Sequence, residues 1–104
     1  MEPQFDMTDM EQKAEDVSGF LKCFANSSRL LIMCQLAEGE KSVTQLMEAT
    51  NIPQTSLSQH LSKLKAESIV DYRRDHRTLY YFIKGEQAQK FMASLYDIFC
   101  KNIQ

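Results

Sequence analysis

From Met10 onward, apolar residues recur at steps of three and four. Met10, Ala14, Val17, Phe20, Leu21 and Phe24 share one stripe, which predicts a first helix over 8–24. Asn26-Ser27-Ser28 breaks the stripe, and Asn26 or Ser27 suits the cap of a second helix over 28–38, with Gly39 as its stop. Ser42 has the same capping chemistry for a short third helix over 43–49, with Val43, Leu46 and Met47 facing inward. Thr50-Asn51-Ile52-Pro53 predicts a tight turn. A fourth helix then starts at Pro53 or Gln54, where a missing N–H does no harm, and runs to Glu67. Beyond it the periodicity changes. Segments 69–74 and 78–83 are β-branched and aromatic and flank Asp75-His76-Arg77, which predicts a two-stranded hairpin. A last helix over 86–101 sets Phe91, Leu95, Ile98 and Phe99 on one side, with Met92 and Tyr96 beside them.

The order helix, helix, helix, helix, strand, strand, helix is mainly α with a β-hairpin wing. A short helix, a tight turn, a longer helix and a hairpin make a winged helix-turn-helix. At 104 residues this is a single domain, 1–104, with only residues 1–7 loosely attached. A chain this short buries a limited fraction of its surface. The first and last helices carry wide stripes that nothing else in the domain can cover. The expectation is a homodimer, with Val17, Phe20 and Phe24 of the first helix and Phe91, Leu95 and Phe99 of the last at its interface.

The N-terminal hexapeptide is neither basic nor apolar, so no secretory signal is expected. The longest apolar run, Leu30 to Cys34, falls far short of the roughly 20 residues that cross a bilayer. A cytoplasmic protein with no membrane partner follows. The net charge of −2 speaks against nucleic acid until its distribution is considered. Residues 54–84 hold Lys63, Lys65, Arg73, Arg74, Arg77 and Lys84 against Glu67, Asp71 and Asp75, a local charge of +3, leaving −5 elsewhere. The local field is what meets phosphates.

On the fourth helix Leu57, Leu61 and Leu64 form one narrow seam at about 100° per residue. Thr55, Ser56, Gln59, Ser62 and Lys63 occupy the opposite side. Surface helices usually carry many acids, and this face has none until Glu67. Small hydrogen-bonding side chains of this kind reach base edges in a major groove, while lysines suit phosphates. Gln54, Thr55, Ser56, Gln59, Lys63 and Lys65 are therefore candidate contacts to double-stranded operator DNA. His60 lies at the margin, equally suited to DNA or to a hydrogen bond inside the domain. Arg73 and Arg77 of the hairpin are candidates for a phosphate or a minor groove. Tyr80 and Tyr81 are expected to pack against the reading helix or line its edge.

These segments resemble the ArsR/SmtB family of winged-helix repressors. The resemblance rests on Leu21-Lys22 through Asn26-Ser27-Ser28-Arg29-Leu30, on Ser42-Val43-Thr44-Gln45-Leu46, on Leu57-Ser58-Gln59-His60-Leu61 with Lys63-Leu64, and on the wing from Asp71 to Tyr81. Pro53 departs from a family that often has a serine or similar cap there. Relatives hold metals in the third helix through cysteines or in the last helix through histidines and acids. Ser42 to Met47 has no cysteine and 86–101 no histidine, so no metal site is expected.

Three cysteines, Cys23, Cys34 and Cys100, form no CxxC pair. Cys34 on the second helix and Cys100 at the end of the last resemble the arrangement in the persulfide-responsive BigR/SqrR/HlyU-like subgroup. That resemblance implies a repressor whose reduced dithiol form binds DNA. Reactive sulfur species, as inducer, would join the two cysteines of one subunit through a di- or polysulfide bridge and release the operator. Cys23 has no counterpart in that pair and reads as a core or interface residue. An alternative is a regulator answering a soft metal or arsenite at Cys23, Cys34 and Cys100, or general oxidants, or no ligand. Without a CxxC pair, a basic partner for Cys34 or a substrate-pocket motif, neither an enzyme nor a cofactor is expected.

Overall fold

The computed structural model describes residues 7–100, except the side chain of Cys100. Its elements are helix α1 (Met7–Phe24), α2 (Ser27–Ala37), strand β1 (Lys41–Ser42), α3 (Val43–Thr50), α4 (Gln54–Ala66), β2 (Val70–Asp75), β3 (Thr78–Ile83), α5 (Glu86–Leu95) and a π-helical turn (Tyr96–Cys100). Local chemistry sets most of these boundaries. The Arg29 backbone N–H donates to Asn26 Oδ1 at 3.0 Å and opens α2. Arg29 Nε also donates to the Cys23 carbonyl at 2.8 Å, which closes the end of α1. Gly39, at φ 144, follows the last turn of α2 in a conformation that suits only glycine. Ser42 and Gln45 form a reciprocal capping box on α3, through Gln45 N–H to Ser42 Oγ (3.2 Å) and Ser42 N–H to Gln45 Oε1 (2.8 Å). Asn51, left-handed at φ 60, ends α3. Pro53 stands at the N-cap of α4 and supplies no side-chain bond, so that helix starts uncapped.

The sheet differs from the expected two-stranded hairpin. It has three antiparallel strands in the order β1-β3-β2, because Lys41 and Ser42 pair with Tyr81 and Tyr80. Two residues are too short to leave a period in sequence, and Ser42 also serves as a helix cap. The hairpin turn is shorter than expected: Asp75 pairs with Thr78, leaving only His76 and Arg77 between the strands, with His76 at φ 58. The last helix also departs from the continuous 86–101 reading, since its α geometry stops at Leu95 and gives way to the π-helical turn.

The core lies around α2, which touches α1, α3, α4, α5, β3 and the π-helical turn. Ile32, Met33, Leu46, Leu57, Leu61, Leu64, Val70 and Met92 are its fully buried side chains. The predicted α4 seam is thus wholly internal. Phe24 is 6% exposed and packs with Phe20 and Phe91 at centroid distances of 5.0 Å each. It belongs to the core of one chain, which leaves a second subunit little of it to cover. Met7, expected in a loosely attached stretch, already belongs to α1; residues 1–6 lie outside the described residues.

Candidate nucleic-acid interface

With its leucine seam internal, α4 turns the opposite side outward. Gln54, Thr55, Ser58, Gln59, Ser62, Lys63 and Lys65 are exposed, and Ser56 and His60 are half-buried. Lys63 and Lys65 in the last turn also suit the negative end of the helix dipole. His60 keeps its marginal position. Lys65 is less free than its sequence position implies: its ammonium lies 3.9 Å from an Asp71 oxygen and 5.4 Å from the centre of the Tyr72 ring. Lys84 reaches the other Asp71 oxygen at 3.8 Å.

Strand alternation gives the wing two unlike faces. Val70 pairs with Ile83, Tyr72 with Tyr81 and Arg74 with Leu79. Val70 and Ile83 are buried, so this parity faces the helices. Tyr72 and Tyr81 meet at 5.4 Å, and burial pushes the Tyr81 hydroxyl's pKa up, helped by Tyr72 and Asp71. Tyr81 lines a groove of about 320 Å³ with Val43 and Thr44 of α3, Gln54 and Ser58 of α4, and Arg77 and Leu79 of the wing. Tyr81 thus borders the reading helix as expected. Tyr80 lies on the other face, under the Arg73 guanidinium at 4.6 Å.

Arg73 crosses Tyr80 to reach Glu40, where its Nε donates to both carboxylate oxygens at 3.0 Å. That hydrogen bonding holds the Glu40 carboxyl below the usual carboxylate range and raises Arg73. Arg73, expected to face DNA, is here engaged within the chain. Arg77 stands exposed in the turn, as expected. Thr44 and Ser58 were left out of the sequence reading, yet they adjoin the same groove. Their signal was weak, because exposed hydroxyls are common. Arg74 was left out too, although counting by twos from an apolar Val70 would have placed it on the helix-facing side.

The two cysteines expected to sense sulfur lie elsewhere. Cys34 is half-buried on α2 and packs against the core. The Cys100 side chain falls outside the described residues, although the backbone at 100 closes the π-helical turn that α2 touches. Cys23 is buried at the end of α1. Burial and Glu67 raise its thiol pKa, against weaker opposing effects of Lys63 and Arg29, so it is a poor nucleophile. Among the described residues no three of His, Cys, Asp or Glu come together to hold a metal ion. No helix among them is long and apolar enough to cross a membrane.

The face expected to meet a second subunit is only half covered. Val17 is 46% exposed and Phe99 68%, whereas Phe20, Phe91 and Leu95 are half-buried against the core. Met10, Leu21 and Ile98 are also exposed.

Comparison with known proteins agrees with this architecture. The family model for bacterial regulatory proteins of the arsR family matches residues 26–72. The chain is similar to the transcriptional repressor BigR of Xylella fastidiosa, with 36% identity and a TM-score of 0.88 over 95% of this chain and 99% of that one. It is similar to the transcriptional regulator HlyU of Vibrio vulnificus, with 34% identity and a TM-score of 0.87 over 92% and 100%. A homodimeric winged helix-turn-helix DNA-binding domain from Mycobacterium bovis shares 32% identity at a TM-score of 0.74, over 94% and 89%. The chain belongs to the ArsR family of bacterial regulatory proteins and stands with its BigR- and HlyU-like members.

Proposed function

We propose that this protein is a cytoplasmic homodimeric repressor that binds double-stranded operator DNA through α4 and the wing, and that the sulfur state of Cys34 and Cys100 sets its DNA affinity. The DNA-binding part rests chiefly on one observation. The outward side of α4, from Gln54 to Lys65, is polar and free of acids, and it stands on a fully buried leucine seam beside an exposed Arg77. The open apolar surface of α1 and the π-helical turn supports a second copy as partner. Two reading helices held by one interface would meet two half-sites.

Sulfur sensing is supported by the family group and by placement. The Cys34 thiolate would attack a polysulfide and keep one sulfur atom, expelling the shortened polysulfide. The Cys100 thiolate would then attack the inner sulfur of the Cys34 persulfide and release sulfide, leaving a disulfide. Two thiols are oxidised and the polysulfide is reduced. Because α2 packs on α5 and the π-helical turn, such a bond would tie the core to the subunit layer and shift the spacing of the reading helices.

Duplex binding measured against salt tests the first part. Lys63→Gln and Arg77→Gln should each flatten the slope by about one per subunit, and unchanged affinity in both would sink it. Mass spectrometry after polysulfide treatment, paired with operator binding, tests the second. Wild-type protein should gain a Cys34–Cys100 adduct and lose affinity, while Cys34→Ser keeps its affinity. Loss of affinity without that adduct would overturn the sensing mechanism and leave DNA binding intact.

A further inference from the structure

The two faces of the wing carry different charge. The outer parity holds Asp71, Arg73 and Asp75, and Glu40 closes over it from the approach to β1. Arg73, the cation of that parity within β2, is matched by a carboxylate fork and lies over Tyr80, while Asp71 is engaged by Lys65 and Lys84. The bidentate Glu40–Arg73 pair spans the sheet from β2 across β3, so it straps the wing's outer face. A phosphate approaching Arg73 meets the Glu40 carboxylate already chelating it, with Asp75 two residues along the same parity.

The inner parity is the opposite case. Arg74 is exposed, and among the described residues no carboxylate lies within ion-pair distance of it. Its partner across the strand is Leu79, and Leu79 lines the groove shared with Gln54 and Ser58 of α4. Arg74 therefore stands on the same side of the hairpin as the N-terminal half of the reading helix. Arg77, next along in the turn, opens onto that groove too.

We infer that Arg74, not Arg73, is the β-strand residue of the wing that meets the DNA backbone, while Arg73 is committed to Glu40 and contributes no phosphate contact. The inference rests on the DNA-binding reading above and divides two adjacent arginines of one strand by their faces.

The test is equilibrium binding of the full-length chain to a fluorescent mixed-sequence DNA duplex across a salt series. A mixed sequence isolates backbone contacts from base readout. Arg74→Gln should weaken binding at low salt and flatten the log–log slope by about one per subunit, and Arg74→Lys should restore the slope. Arg73→Gln and Glu40→Gln should keep the wild-type slope. If Glu40 instead held back a phosphate ligand, Glu40→Gln would raise both affinity and slope, and the inference would be overturned. A flattened slope in Arg73→Gln with none in Arg74→Gln would overturn it as well. Both arginines are exposed, and circular dichroism is the check that each variant is folded. Wild-type protein that fails to bind the duplex at low salt would strike the DNA-binding reading itself, a result separable from a misassigned arginine.

Discussion

Leu57, Leu61 and Leu64 on α4 and Met10, Val17 and Leu21 on α1 are similar side chains at similar helical spacing, yet their surroundings are opposite. The α4 leucines are at most 1% exposed, whereas Leu21 is 44% exposed, Val17 46% and Met10 52%. Around α4, the short helix α3, the central helix α2 and the sheet close a core inside one chain. Along α1, residues 7–19 are all exposed, and only Cys23 and Phe24 at its end are buried. Burying a side chain of this size is worth about 1.5–3 kcal/mol, so one seam is satisfied and the other still has its surface to bury. The reading unit is complete in the monomer; the outer layer is completed by something else, and under the proposed function that is a twin.

The largest test of this contrast is to charge the open seam. Val17→Glu combined with Leu21→Glu should leave the fold intact, since both positions are exposed, but convert the protein to monomer in sedimentation equilibrium. Binding to a two-half-site operator should then fall about 10²–10⁴-fold through loss of avidity, while each monomer keeps its salt-dependent attraction to duplex. A double variant that stays dimeric would place the interface elsewhere.

The closed seam should respond in the reverse manner. Leu61→Ala should cost about 2–5 kcal/mol of stability in urea unfolding, with the oligomeric state of the remaining folded protein unchanged. Loss below about 1 kcal/mol would mean that the α4 packing is looser than its burial implies.

How far the sequence foretold each region follows from the range of the interactions. The α4 seam, the Asn26 and Ser42 caps and the hairpin were legible because each depends on residues a few positions apart. Strand β1 was not, since its pairing joins Lys41 to Tyr81 and is invisible to any local period. Phe24 was placed on the subunit face because α1 shows one continuous stripe. Only the fold reveals that Phe20 and Phe91 close over the end of that stripe. The Arg73–Glu40 pair was hidden for a related reason: the two residues lie 33 positions apart. The π-helical turn after Leu95 leaves the apolar spacing of the last helix almost unchanged, so the sequence gives no sign of it.

A smaller effect sharpens the local side of the contrast. Ser42→Ala removes the acceptor for the Gln45 N–H and should cost about 1 kcal/mol of stability. Because Ser42 also pairs with Tyr80 through its backbone, the alanine variant keeps β1 and loses only the cap. A loss of wing protection in hydrogen exchange would show that cap and strand are one cooperative unit.

The smallest effect is a slope against pH, and it tests how enclosed Cys23 is. Burial raises the Cys23 thiol above its ordinary 9.0, and Tyr81 stands above its ordinary 10.0 for the same leading reason. Below 9.0 the folded and unfolded chains both keep the thiol proton, so stability does not depend on this group. As pH rises past that value the unfolded chain releases its proton first, and stability falls until the folded thiol ionises as well. The thermal midpoint should therefore decline through the alkaline range. Cys23→Ala should lower the whole curve by creating a small void yet make it flatter. An equally steep decline in the Cys23 variant would mean that Tyr81 carries the alkaline loss, and that Cys23 is less enclosed than its position between the end of α1 and the core indicates.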